Sequence, residues 1–169
     1  MIDISIIIVN YNVKEYLIPC IKSIFQYSND YPSIEIILVD NNSNDDSLNI
    51  VKKEFPSIRT IQNNENIGFS RAVNQGYKYS NAKYIFILNP DTYLIDNPIN
   101  KLFNFMEKNQ DVALLGPTLL SITNKVHQSC WRKTTLINTL LSLLHLEKIN
   151  NHKNYNKQLF KNPTKVDSI

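Results

Sequence analysis

Short β-branched, apolar runs alternate with longer amphipathic stretches through residues 1–115, and this alternation narrows the possible fold more than any other feature of the chain. The runs are Ile4–Val9, Ile34–Val39, Ile58–Gln62, Tyr84–Leu88 and Val112–Leu115. Each is nearly continuously apolar, as expected for parallel strands covered on both faces. The stretches between them carry apolar residues at helical spacing. Leu17, Ile21, Ile24 and Phe25 mark one face, and Leu48, Val51 and Phe55 a second. Phe69, Ala72, Val73 and Gly76 mark a third, and Ile99, Leu102, Phe103 and Met106 a fourth. This alternation predicts right-handed crossovers and a doubly wound, mostly parallel α/β sheet with helices on both faces.

Local signals place the helix starts. Asn12 with Glu15, and Ser43 with Asp46, read as capping boxes, and Pro98 suits a first helical turn. Pro19 falls inside the first helix and is expected to kink it. After Gly116-Pro117 the texture changes. Thr118–Ile122 and Val126–Trp131 flank Thr123-Asn124-Lys125 and read as a hairpin. Thr135–Leu146 reads as a leucine-rich helix, and the chain is polar from Lys148 onward. The organisation expected is a ligand-binding subdomain over residues 1–117, then an incomplete second region over 118–169.

Composition matters at three points. A chain of 169 residues is long enough for one well-cored domain. Its apolar runs fall short of the roughly 20 residues of a membrane span, and no basic residue precedes the first run as in a secretory signal. Cys20 and Cys130 are far apart, which favours a reducing, cytoplasmic setting. Charge is uneven: residues 116–169 hold eight basic and two acidic side chains. That basic part suits peripheral contact with the inner face of the cell membrane, and its leucines suit self-association. Nucleic acid is not an expected partner.

Polar clusters sit at four successive strand ends: Asn10-Tyr11-Asn12, Asp40-Asn41-Asn42-Ser43, Asn63-Asn64-Glu65-Asn66 and Asn89-Pro90-Asp91-Thr92. Singly, each reads as a turn or a cap. Together they outline the crevice where open α/β sheets bind ligands. Asp91, ending a buried strand with no basic neighbour in sequence, suits a hard cation such as Mg²⁺ or Mn²⁺, with substrate phosphates as further ligands. The alternative reading makes it a turn cap.

Several of these strings resemble the GT-A glycosyltransferases of family 2. Ile4-Ser-Ile-Ile-Ile-Val-Asn-Tyr-Asn12 is similar to that family's opening, and Val39-Asp-Asn-Asn-Ser43 to its second block. Asn66-Ile-Gly-Phe-Ser-Arg-Ala-Val-Asn-Gln-Gly76 resembles its third block, and Leu88-Asn-Pro-Asp-Thr92 its variant DxD motif. Lys125-Val-His-Gln-Ser129 with Arg132 is similar to a segment of the rhamnosyltransferase-like branch. The resemblance implies a Rossmann-like GT-A fold and a donor site formed by Val9, Tyr11, Asp40, Gly68, Arg71, Asn89 and Asp91. Val9 and Tyr11 would line the base pocket, Asp40 would accept from a uracil or thymine imide, and Gly68 would let the backbone approach the donor. Arg71 is a partner for base or phosphate, Asn89 for a ribose hydroxyl, and Asp91 for the metal. Asn74 is read as packing.

The function implied is inverting transfer from a UDP- or dTDP-sugar to a saccharide or lipid-linked acceptor in cell-surface polysaccharide synthesis. The resemblance places the general base of such an enzyme later in the chain. No catalytic residue is assigned within these residues, and the chain is expected to be C-terminally truncated and impaired in transfer. A non-catalytic nucleotide-sugar-binding module and a sugar nucleotidyltransferase stand as alternatives.

Overall fold

The computed structural model describes residues 2–28 and 32–127. The chain divides into two compact units, Met1–Asn109 and Gln110–Ile169. Among the described residues, no helix is long and apolar enough to cross a membrane.

The first unit is built on four parallel strands: β1 (Ile4–Asn10), β2 (Ile34–Asp40), β3 (Arg59–Gln62) and β4 (Tyr84–Leu88), in the order β3-β2-β1-β4. Four helices alternate with them: α1 (Lys14–Tyr27), α2 (Ser47–Glu54), α3 (Phe69–Lys78) and α4 (Pro98–Lys108). The chain steps outward from β1 to β3, then returns to place β4 on the other side of β1. Side-chain alternation along the strands sorts the core into two layers. Ile4, Ile6 and Ile8 of β1, with Ile36 and Leu38 of β2, pack with buried residues of α1, α2 and α4. Val9, Ile37 and Val39 pack on the opposite face against Ala72 of α3. All seven residues of β1 are buried, which is why its sequence is apolar on both faces. At the β4 edge the cover is incomplete, and Ile87 is half exposed.

Local expectations change over residues 112–115 and in α3. Residues 112–115 form no strand, and Leu114 is 70% exposed. Apolar composition permits a strand but only a pairing partner makes one, and the described sheet ends at β4. The helix α1 continues through Pro19 to Tyr27. The ring withholds the amide that would reach the carbonyl of Glu15, and both residues lie on the exposed side of the helix. Phe69, expected on the inner face of α3, is 51% exposed, and Asn74 is exposed rather than packed.

Gly76 lets α3 lie close to the sheet. A methyl there would meet Ile7 Cγ2 at 2.8 Å and Val39 Cγ2 at 3.3 Å, both on buried β-branched side chains with little room to rotate. Gly76→Ala is therefore expected to destabilise the protein by about 1–2 kcal/mol. Overpacking outweighs the gain of up to ~1 kcal/mol in helix propensity. A urea midpoint equal to or above that of the wild type would refute this.

The second unit is described only over residues 110–127. Here β5 (Leu119–Leu120) pairs antiparallel with β6 (Val126–His127), with Leu119 opposite His127 and Leu120 opposite Val126. A hairpin is present where one was expected, with a longer turn; residues 128–131 of its expected second strand, and Arg132, lie outside the described residues. Ile122 lies in the turn, which Asn124 closes at φ 57° by donating its N–H to the Ser121 carbonyl at 2.8 Å. The leucine-rich stretch and the polar tail lie outside the described residues.

Candidate functional site

The order β3-β2-β1-β4 puts the reversal of strand order between β1 and β4, and crevices at such reversals open beyond the carboxyl ends of the strands. Asn10 ends β1 at this point and Tyr11 follows it, and Asn89-Pro90-Asp91 follows β4.

The β1 and β2 ends are tied by a buried polar knot. Asn10 and Asp40 are fully buried and lie opposite each other in the β1–β2 register. Asn10 Nδ2, with two hydrogens to donate, lies within hydrogen-bond distance of three acceptors: Asp40 Oδ1 and Ser47 Oγ, both at 2.7 Å, and Ser43 Oγ at 3.0 Å. The other carboxylate oxygen of Asp40 accepts the Ser43 N–H at 3.0 Å. Such bonds to an ionised acceptor are stronger than neutral ones, and they fix the turn after β2.

The residues read as capping boxes serve instead as cross-braces between the loops after β1 and β2. Asn12 is at φ 54°, and its Oδ1 accepts the Asn44 N–H at 2.7 Å. Its own N–H donates to Ser43 Oγ at 3.0 Å. The N-caps are Val13 for α1 and Asp46 for α2, and neither makes a capping side-chain bond. Asp45 supplies the missing acceptor, taking the Lys14 N–H at the start of α1 at 2.8 Å. Burial opposes the charge on Asp45, but hydrogen bonds from Ser47 and the Lys14 N–H more than offset it and hold the carboxyl below its usual range. With the folded value depressed, the brace contributes stability above the unfolded carboxylate value and loses it as pH falls through the folded one. The stability gap between wild type and Asp45→Asn should therefore shrink as pH is lowered below about 4. A gap constant from pH 7 to pH 3 would refute the brace.

Helix α1 also holds the segment that carries Asp91. The Asn89 carbonyl accepts from Cys20 Sγ at 3.7 Å and Thr92 Oγ1 at 2.6 Å. Ser23 Oγ accepts the Leu94 N–H at 3.1 Å, and Tyr27 Oη accepts the Asp96 N–H at 3.1 Å. Burial, eased by Thr92 and reinforced by the charge of Asp91, pushes the Cys20 thiol up to about 11. Asp91 itself is exposed, and no hydrogen bond or ion pair engages its carboxylate among the described residues. An accessible, uncommitted carboxylate fits a hard divalent cation whose remaining ligands come from water and a diphosphate. Among the described residues, no group of three His, Cys, Asp or Glu side chains could hold a metal without such help.

The other expected residues fall around this crevice in different environments. Val9 is buried on the α3 face, whereas Tyr11 is 48% exposed. Gly68 precedes α3 at φ 83° and ψ 162°, a region essentially reserved for glycine, with no atom within 4 Å of where a Cβ would stand. The Asn66 Oδ1 accepts its N–H at 2.9 Å. Arg71, in the first turn of α3, is exposed, as is Asn89. Sequence reasoning overlooked Asp45 as the α1 cap, Ser23 as a loop anchor, and Gln75, which pairs with Asn63. The only available signal was a polar residue on a helix whose neighbours Ala72 and Gly76 face inward.

Comparison with known proteins adds an independent line. Residues 5–167 match the family described as glycosyl transferase family 2. The chain is 30% identical over 119 residues to the poly(ribitol-phosphate) β-N-acetylglucosaminyltransferase TarP of Staphylococcus aureus, covering 69% of this chain and 36% of that protein. It is 36% identical over 105 residues to WfaP of Escherichia coli, a UDP-Glc:α-D-GlcNAc-diphosphoundecaprenol β-1,3-glucosyltransferase, covering 62% and 41%. The fold matches the crystal structure of S. aureus TarS in complex with UDP at a TM-score of 0.66 and 22% identity, covering 78% of this chain and 40% of that one. The chain thus spans less than half the length of each.

Proposed function

This chain belongs to glycosyl transferase family 2, and on that footing we propose that it is the donor-binding part of an inverting transferase. It takes a sugar from a UDP- or dTDP-sugar for a saccharide or lipid-linked acceptor of a cell-surface polysaccharide. The observation that carries this reading is the exposed, uncommitted carboxylate of Asp91 at the strand reversal between β1 and β4.

Each residue has a part in the proposal. Tyr11 offers an exposed ring at the end of β1, with Val9 packed beneath the strand end. Asp40, fully buried and bonded to Asn10 and Ser43, supports the base pocket from beneath rather than meeting the imide directly, and the preference for a uracil or thymine nucleotide rests on the UDP-linked relatives. Gly68 admits the donor to the backbone, and Arg71, free of any partner among the described residues, meets base or phosphate. Asn89 takes a ribose hydroxyl. Asp91 holds Mg²⁺ or Mn²⁺, which supplies positive charge against the nucleoside diphosphate as it leaves. The eight basic against two acidic side chains of residues 116–169 support a peripheral place at the inner face of the cell membrane.

The test is calorimetry with UDP, dTDP, ADP and GDP, each with Mn²⁺ and with EDTA. The expected result is binding of the two pyrimidine nucleotides, lost or strongly weakened in EDTA. Equal affinity for all four nucleotides, or none, would overturn the reading.

A further inference from the structure

Four side-chain amides form a continuous chain from the body of α3 to the Gly68 turn. Gln75 and Asn63 pair reciprocally: Gln75 Nε2 donates to Asn63 Oδ1 at 2.9 Å, and Asn63 Nδ2 donates to Gln75 Oε1 at 3.0 Å. Asn63 Nδ2 also donates to Asn41 Oδ1 at 2.9 Å. Asn41 Nδ2 then donates to Asn66 Oδ1 at 3.2 Å, and that same oxygen accepts the Gly68 N–H. The backbone N–H of Asn63 is anchored on the Asp40 carbonyl at 2.8 Å, so the chain hangs from the end of β2.

An amide has one accepting end and one donating end, so the orientation of each member dictates that of the next. With both Asn63 hydrogens taken, Asn41 must turn its oxygen toward Asn63. That leaves its nitrogen for Asn66, whose oxygen also takes the Gly68 N–H; that N–H can only donate, so both ends of the row agree on one direction. Asn41 is 2% exposed and Asn63 and Gln75 are half-buried, so water competes poorly along the inner part. Gly68 sits in a conformation that only glycine holds readily, and the N–H it donates to Asn66 Oδ1 ties that conformation to the row of amides.

We propose that Gln75 is a positioning residue for the nucleotide. It touches no ligand but, by pairing with Asn63, holds Asn63 and Asn41 in place behind Asn66 and hence maintains the shape of the Gly68 turn. The inference rests on the proposed donor reading.

The experiment measures UDP affinity with Mn²⁺ in wild type, Gln75→Met, Asn66→Ala and the double variant, well below each unfolding midpoint. Gln75→Met keeps length and volume but cannot pair. It should weaken UDP binding by roughly tenfold, the scale of one or two lost hydrogen bonds. In the Asn66→Ala background the same change should have almost no further effect, because the route to Gly68 is already cut. A merely structural Gln75 would cost the same in both backgrounds, and that result, or wild-type affinity in Gln75→Met, overturns the inference. Affinity loss that tracks the fraction of unfolded protein overturns it equally. Failure of wild-type protein to bind UDP sinks the donor reading instead.

Discussion

Asn10→Asp is expected to cost about 3–5 kcal/mol at neutral pH, a large part of the stability of an ordinary domain. The substitution is almost isosteric, so its effect is one of charge. Asn10 Nδ2 lies 2.7 Å from Asp40 Oδ1, and both residues are fully buried at the ends of paired strands. Replacing the donor by a second carboxylate sets two like charges at hydrogen-bond distance, with no cation among the described residues to separate them. Such a pair cannot ionise fully; it keeps one proton, and the carboxyl holding it has a raised folded value. Below the unfolded value, near 3.9, both states are protonated and the pair contributes as the native bond does. As pH rises above that value the unfolded chain releases its proton while the folded one retains it, so stability falls. The gap between variant and wild type should thus be small at pH 4 and large at pH 7. The double variant Asn10→Asp with Asp40→Asn, which exchanges the two groups and restores one donor and one charge, should recover most of the loss at pH 7 and show a much weaker pH dependence. An equal deficit for Asn10→Asp at both pH values would mean that the knot is not held by this contact.

That knot also marks what local sequence conveys and what it does not. The strands are legible because burial on both faces leaves its mark on residue type: Ile6, Ile7 and Ile8 are all fully buried and all β-branched. The strand ends are legible as neighbours because parallel strands bring their following loops to one edge. Asn12 and Ser43 were open to misreading for the opposite reason. A capping box is a pattern within four residues, whereas these side chains are claimed by each other's loops, 31 residues apart along the chain. That proximity is set by the β1–β2 register, with Asn10 opposite Asp40. The chain of amides ending at Gln75 is invisible for the same reason, since Asn41, Asn63 and Gln75 meet only after β2, β3 and α3 are assembled. Val112–Leu115 shows the converse: its composition permits a strand, and the described sheet offers it no partner.

Asp40 and Asp91 look alike in sequence, each a carboxylate just past a buried strand, and their environments divide the labour. Asp40 is committed to Asn10 and Ser43, whereas Asp91 is exposed with no partner among the described residues. Asp91→Ala is therefore expected to leave the unfolding midpoint of the protein alone unchanged, within the ~0.5 kcal/mol typical of surface substitutions. Its effect should emerge only with ligands present. A ligand that binds the folded state raises the midpoint, by about 2.7 kcal/mol of stability when present at a hundred times its dissociation constant. In wild type with Mn²⁺, UDP should give such a rise and EDTA should abolish it. In Asp91→Ala the rise should shrink to the EDTA level even with Mn²⁺, with UDP affinity lower by about tenfold or more, at least ~1.4 kcal/mol. Asp91→Asn preserves shape but not charge, so it should behave like Asp91→Ala if the carboxylate holds a cation. If Asp91 merely shapes the turn after β4, Asp91→Asn should behave like wild type, and Asp91→Ala should lower the midpoint without ligand. That pair of results would remove the metal from the proposal and leave the nucleotide reading to stand on the β1 and α3 side of the crevice.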